Sequence, residues 1–172
     1  MILTGKKIFE EVEAGRIDLY PFSSDRITTN SYDLALGGTV LRYTADVIDP
    51  HKEMPFEEIM IPSDGLLLNK GDFVLGYSKE RLGSDFYVPI IHGKSGTARM
   101  GLFVHVTADL IDIGSHGVTT FQLYATLPVK IYADMLIAQV SFWKPLGDIE
   151  LYKGKYQHST GPRPSMTYKD FK

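Results

Sequence analysis

Cysteine is absent from the 172-residue chain. That absence excludes a disulfide scaffold, a thiol nucleophile, an iron–sulfur site and every thiolate-liganded zinc centre. It leaves the redox compartment open, with a reducing cytoplasm as the default. Long apolar runs are missing as well. No stretch approaches the roughly 20 residues that a helix needs to cross a bilayer, and the first residues carry no basic region followed by an apolar one. A cytoplasmic address with no membrane partner is the expectation. A strong excess of one charge is also lacking: 18 basic residues face 21 acidic ones for a net of -3, which argues against a nucleic-acid partner. Internal repeats and low-complexity linkers are absent too, so the length suits one domain. What is present is the composition of a packed protein, 44% hydrophobic, 12% aromatic and 23% charged, which disfavours disorder, collagen and coiled coil.

The small net charge hides an asymmetry. Residues 153–172 hold five basic residues and one acidic residue, a net of +4, which leaves the first 152 residues at -7. The same segment contains no Ile, Leu or Val but carries Gly154, Gly161, Pro162 and Pro164, so it lacks the apolar area with which to order itself. It reads either as a frayed, solvated tail or as a basic lid ordered by an anionic ligand or a neighbouring subunit. The chain therefore divides into a body over 1–152 and a basic tail over 153–172.

Thr4 is placed to cap a short helix in which Ile8 and Val12 recur at i, i+4, with Gly15 as its stop. Beyond it, Gly and Pro punctuate the chain at intervals of about eight to twelve residues, the spacing of an all-β sandwich or barrel. Between them lie β-branched or aromatic stretches that predict strands at Thr39–Tyr43, Asp72–Tyr77, Gly101–Thr107, Val118–Ala125, Val129–Tyr132 and Met135–Trp143. The last is nearly continuous in apolar residues and is expected to be buried on both faces.

Two polar stretches interrupt this pattern. Gly93-Lys94-Ser95-Gly96-Thr97-Ala98-Arg99-Met100-Gly101 combines small residues, hydroxyls and two cations, which suits a loop whose N–H groups approach phosphate oxygens but equally an ordinary glycine-containing turn. It is not a Walker loop, because Val88 stands where the first glycine is required. His105 to Gly117 is a turn dense in polar groups. A triad of Ser95, His105 and Asp112 lacks any nucleophile elbow around Ser95. His105, between Val104 and Val106, reads as a hydrogen-bonded core histidine, and His92, His105 and His116 lack the spacing of a helical zinc site.

Read in order, these stretches resemble the dCTP deaminase branch of the dUTPase-like superfamily. Met1-Ile2-Leu3 with its short helix is similar to that family's start, and Asn30-Ser31-Tyr32-Asp33-Leu34-Ala35-Leu36-Gly37 to its S-x-D-L-x-L-G strand. Gly93–Leu102 is similar to its G-[RK]-S-S-x-x-R-x-G-L loop, and His105–Gly117 to its H-x-T-A-x-x-I-D-P-G-x-x-G turn. Lys155-Tyr156-Gln157, Gly161-Pro162 and Pro164-Ser165 are similar to its K-Y-x-x-Q…G-P-x-P-S tail. The resemblance implies a mainly β, distorted β-barrel or jelly-roll fold with one short N-terminal helix, assembled as a homotrimer with sites shared between subunits. It implies that Lys94, Ser95 and Arg99 serve a triphosphate in a neighbour's site, and that backbone groups around Val106, Thr107 and Ala108 read the pyrimidine. Asp112 would accept the sugar 3′-hydroxyl or orient a hydrolytic water, and Tyr152, Lys155 and Tyr156 would close over a nucleoside triphosphate as a lid. Mg²⁺ is expected on the phosphates, without zinc.

The departures bear on chemistry. Gln122 in Phe121-Gln122-Leu123 stands where the resemblance implies a catalytic glutamate. An amide cannot take a proton from water, and losing a general base costs about 10²–10⁴ in rate. Asp109, beside the expected pocket, is a candidate to compensate. Ser115 replaces an aromatic residue expected against the deoxyribose, Gly96 replaces the second loop serine, and Ser159 replaces a tail glutamine. The implied activity is deamination of dCTP to dUTP and ammonia, with Gln122, Ser95 and Asp112 as the catalytic candidates. Without cysteine that chemistry has no zinc-deaminase site. The alternatives are a dUTP-type diphosphatase using Asp112 and a nucleotide-binding protein without turnover.

Overall fold

The computed structural model describes residues 1–171. Helix α1 (Gly5–Glu13) precedes strands β1 (Asp18–Tyr20), β2 (Tyr32–Ala35), β3 (Thr39–Tyr43), β4 (Phe56–Met60), β5 (Leu66–Leu68), β6 (Phe73–Gly83) and β7 (Val88–Gly93). Helix α2 (Ser95–Arg99) leads into β8 (Leu102–Phe103), β9 (His116–Ala125), β10 (Val129–Ile131) and β11 (Leu136–Trp143). Short 3-10 turns occupy Ser24–Arg26 and Thr167–Phe171. The mainly β class and the single N-terminal helix agree with the sequence. Among the described residues, no helix is long and apolar enough to cross a membrane.

Three antiparallel sheets carry the strands, and none of them closes on itself. The largest runs β4-β3-β6-β9-β8, with β1 joining β6 beside its far end. The second is β2-β11-β7 and the third pairs β10 with β5. The core between them holds Ile8, Tyr32, Leu34, Leu36, Phe121, Leu123, Val140 and Phe142, all fully buried.

β3, β10 and β11 fall within a residue of the predicted strands, whereas β6 and β9 run longer than predicted. The stretch expected as a strand over Gly101–Thr107 keeps only Leu102–Phe103, because the chain then leaves β9 and residues 109–111 pair with β7 instead. Ile91 N–H donates to the Asp109 carbonyl (2.9 Å) and Ile111 N–H to that of Pro89 (3.0 Å). The expected phosphate loop is likewise a helical turn, with Ala98 N–H donating to the Lys94 carbonyl (2.9 Å). Thr4 holds the N-cap position of α1 in extended backbone, but its hydroxyl makes no capping bond.

A bulge breaks the β6–β9 ladder between Tyr77 and Arg81, and it is built around a buried charge. Glu80 is fully buried. Its carboxylate pairs with Arg26 and accepts the Ala35 N–H at 3.0 Å, so β6 is tied to the 24–26 turn and to β2 at one point. Ser78 closes the bulge: its hydroxyl donates to the Glu80 carbonyl (2.7 Å) and accepts the Thr119 N–H (2.8 Å). Such a carboxylate is tolerable because each of its oxygens meets a donor, Arg26 at one and the Ala35 N–H at the other; removing one partner of a buried pair costs about 3–5 kcal/mol.

A second buried carboxylate anchors α1. Glu11 is 1% exposed and takes Arg16 Nη2 at 2.7 Å and Lys7 Nζ at 2.8 Å. The Arg16 guanidinium holds its carboxyl down at about 2 against the opposing effect of burial, with Lys7 and Tyr87 assisting. A depressed folded-state value means that Glu11 favours folding above the ordinary 4.5 and loses that contribution as pH falls from there toward 2. Urea unfolding of Glu11→Gln across this window is therefore expected to show a flatter acid limb than wild type. An unchanged slope contradicts the assignment.

Candidate functional site

β9 separates two environments by simple alternation. Phe121, Leu123 and Ala125 point into the core and are fully buried. Thr120 and Gln122, on the other face, line a cavity of about 630 Å³ together with Val118 and Thr119 near the bulge, where the alternation lapses. Phe73 and Leu75 of β6 continue that wall, Leu75 lying opposite Gln122 in the ladder. Tyr43 and Ile48 close one side. Apolar walls with a few convergent polar groups are the usual character of a small-molecule site.

The polar turn after β8 forms another side, through Ala108, Leu110, Ile111, Asp112 and Ser115. Its shape comes from short backbone bonds: Ser115 N–H donates to the Asp112 carbonyl (3.0 Å) and Gly114 N–H to that of Ser84 (2.8 Å). Gly114 has φ +82°, and a Cβ there would lie 2.7 Å from Leu151 Cβ, so conformation and packing both call for glycine.

The basic tail supplies the rest of the wall through Tyr152, Tyr156, Ser159, Arg163, Pro164 and Ser165. It is held by hydrogen bonds rather than apolar burial. Gln157 is its clamp: the amide oxygen accepts the His116 N–H (2.7 Å) while the amide nitrogen donates to the carbonyls of Gly114 (2.7 Å) and Tyr152 (3.3 Å). The backbone then runs along β9, with His158 N–H donating to the His116 carbonyl (2.8 Å) and Val118 N–H to that of Ser159 (2.9 Å). Farther on, Arg163 N–H reaches the Thr120 hydroxyl (3.0 Å) and Ser165 N–H the Tyr43 hydroxyl (2.8 Å). The Phe171 and His51 rings meet at 3.9 Å.

Of the residues singled out in the sequence, Gln122, Asp112, Ala108, Tyr152 and Tyr156 lie together on this cavity, with Ser115 and Ser159 beside them. Lys94, Ser95, Arg99, Val106, Thr107 and Lys155 do not line it. Lys94 is ion-paired with Asp33 and Lys155 with Asp170, while Ser95 and Arg99 are exposed on α2 and Val106 and Thr107 on the following loop. Asp109 does not line the cavity either, so it is not placed to compensate for Gln122. Tyr43, Ile48, Phe73, Leu75 and Arg163 were not anticipated. Phe73, Leu75 and Tyr43 lie within predicted strands, but nothing local marks them as cavity residues, because that placement depends on long-range approach. Among the described residues, Asp112 and Arg163 are the cavity's single carboxylate and single cation.

His105 departs from the expected hydrogen-bonded core histidine: its Nδ1 is buried without a partner, as is Asp33 Oδ1. Nearby, His92 Nε2 and the Ser141 hydroxyl are 2.8 Å apart. Burial first, and His105 second, push the His92 imidazole below its ordinary value, against the pull of Asp109. Ser95, His105 and Asp112 form no triad, since no hydrogen bond joins them and only Asp112 reaches the cavity.

A family model described as dCTP deaminase-like matches residues 2–145. The chain is 41% identical over 172 residues to a Clostridium beijerinckii protein named "dCTP deaminase, dUMP-forming", covering 99% of each. Proteins of the same name from Cytophaga hutchinsonii and Leptospira biflexa are 38% and 37% identical over the same length. A solved structure of 2′-deoxycytidine 5′-triphosphate deaminase from Agrobacterium tumefaciens superposes with a TM-score of 0.65 at 22% identity, over 82% of this chain. This chain spans 47% of that one, and the likeness concerns the fold.

The tail's seat depends on a missing side chain. A Cβ on Gly117 would lie 2.7 Å from Ser159 N and 2.9 Å from its carbonyl oxygen. Gly117→Ala is therefore expected to lift the tail from β9 while sparing the core. Hydrogen exchange should show the Val118 and His158 amides losing protection by at least about tenfold, with the Phe121 and Leu123 amides unchanged. Equal protection in the variant contradicts this seating.

Proposed function

The chain belongs to the dCTP deaminase-like family, and on that footing we propose that it hydrolyses pyrimidine deoxynucleoside triphosphates with dUMP as the end product. The observation that carries this is the cavity on the outer face of β9, where Gln122, Asp112, Ala108, Tyr152 and Tyr156 converge from three separate parts of the chain. The relatives' names join deamination to dUMP formation, two outcomes that the sequence alone set apart as alternatives.

The phosphate half of the reaction falls to Asp112. Water attacks the α-phosphorus, its proton passes to the Asp112 carboxylate, the bond to the bridging oxygen breaks, and dUMP and pyrophosphate leave. Asp112 is exposed at the cavity rim, where a solvated carboxylate can accept that proton and return it to water. Mg²⁺ arrives on the phosphates as part of the substrate. Among the described residues Asp112 is the only carboxylate on the wall.

The base half falls to the β9 face. Deamination adds water to C4 of cytosine and expels ammonia, and it needs a group to take the water's proton. Gln122 offers an amide, which donates and accepts hydrogen bonds to a base edge but has no basic site. The substitution favours a second, narrower activity: uracil nucleotides, which need no deamination, are turned over faster than cytosine nucleotides.

The working unit is a homotrimer with shared sites. Lys94, Ser95 and Arg99 lie off their own chain's cavity, and an exposed apolar belt of Met100, Phe103, Tyr124 and Leu127 flanks them. Such a belt beside polar residues is typical of a protein contact. The unpartnered buried atoms of Asp33 and His105 also lie in or near the segments that this arrangement turns toward a neighbour.

Two variants test the division of labour, with dUTP and dCTP as substrates and Mg²⁺ present. Asp112→Asn is expected to abolish pyrophosphate release from dUTP; unchanged release removes Asp112 from the reaction. Gln122→Glu is expected to raise ammonia release from dCTP by about 10²–10⁴, the usual contribution of a general base. No gain would show that position 122 does not face the base.

A further inference from the structure

We propose that Arg163 is a phosphate-binding residue of the cavity, supplied by the tail of the same chain. This rests on the cavity's being a nucleotide site, as proposed above, and adds a contact from a residue between the two prolines of the tail motif. Three observations carry it.

The first is electrostatic. Arg163 is the only cation among the described residues lining the cavity, and it makes no ion pair with any described residue, whereas Lys94 and Lys155 are each neutralised by a carboxylate of their own chain. A lone guanidinium on a cavity wall is available to an anion entering from solvent. Its planar fork matches two phosphate oxygens at once, which a lysine ammonium cannot do.

The second is pre-organisation. Pro162 and Pro164 flank Arg163. Proline fixes its own φ, and the residue before a proline is held in extended backbone. The Arg163 N–H is tied to the Thr120 hydroxyl at 3.0 Å, and two residues on, the Ser165 N–H is tied to the Tyr43 hydroxyl at 2.8 Å. The root of the side chain is thus pinned to β9 on one side and β3 on the other. Little backbone entropy remains to be lost when the guanidinium engages a ligand.

The third is position. Thr120 and Gln122 are successive residues on the cavity face of β9, so the segment carrying Arg163 crosses directly over the face assigned to the nucleotide. Among the described residues, a triphosphate bound there has Asp112 as the cavity's only carboxylate, and Arg163 is the one cationic side chain on the wall that offsets it.

Calorimetric binding of deoxyuridine, dUMP and the non-hydrolysable α,β-imido analogue of dUTP to wild type, Arg163→Ala and Arg163→Lys tests the assignment. Loss of charged hydrogen bonds should weaken binding of the imido analogue to Arg163→Ala by about 10- to 100-fold, with deoxyuridine within about twofold of wild type and Arg163→Lys in between. Unchanged affinity for the analogue overturns the role of Arg163 alone. Equal weakening for deoxyuridine and the analogue also overturns it and makes Arg163 a residue that merely seats the tail. Wild type binding none of the three probes overturns both this role and the nucleotide site.

Discussion

The fold and the site both depend on β9 being held at one register, because a slip of one residue would exchange its two faces. Phe121, Leu123 and Ala125 would then leave the core, and Gln122 would leave the cavity. Ladder hydrogen bonds to β6 set part of that register, and the bulge at Ser78–Glu80 sets the rest. There the Ser78 hydroxyl receives the Thr119 N–H, while the buried Glu80 carboxylate fixes the bulge against Arg26 and Ala35. A buried charge that is satisfied in only one arrangement makes alternative pairings expensive. The polar network at Glu80 thus specifies where the functional face of β9 lies, although it is not part of the cavity.

The tail shows a different way of ordering a chain. Its composition denies it a core of its own, yet it lies along β9 through backbone bonds at His158 and Ser159, a side-chain clamp at Gln157, and three tyrosine hydroxyls, those of Tyr43, Tyr152 and Tyr156, that receive tail amides. Gly117 allows the close approach. Such contacts contribute modestly one by one, about 0.5–1.5 kcal/mol each. A segment held in this way is a suitable lid, since it can form a defined wall of the cavity and still release product at small cost.

Much of this was legible in the residues, and the remainder was not for identifiable reasons. β3, β9, β10 and β11 show β-branched or apolar patterns strong enough to read locally. β4, with Glu57 and Glu58 at its centre, and β1 and β5, only three residues long, are too polar or too short to read locally, and each pairs along a neighbouring strand. Gly101–Thr107 has strand-like residues, but tertiary pairing of the following turn with β7 overrides them. At the site, Gln122, Asp112 and Tyr156 were visible as members of ordered motifs. Phe73, Ile48 and Arg163 were not, because only the closed structure brings them to the cavity. Lys94, in the motif that the resemblance assigns to a neighbour's triphosphate, is ion-paired with Asp33, sixty-one residues earlier in the chain, a long-range pairing that no local pattern displays.

In the proposed reaction the cavity pairs a carboxylate at Asp112, assigned to the phosphates, with an amide rather than an acid at Gln122, assigned to the base. The account therefore predicts a separation of two reactions that the relatives' names join. The most direct measurement is a side-by-side time course of the unaltered protein with dUTP and with dCTP in the presence of Mg²⁺, counting pyrophosphate and ammonia in each. Pyrophosphate from dUTP should appear at least about 100-fold faster than ammonia from dCTP, the lower bound set by a missing general base. Ammonia released from dCTP as fast as pyrophosphate from dUTP would contradict the account.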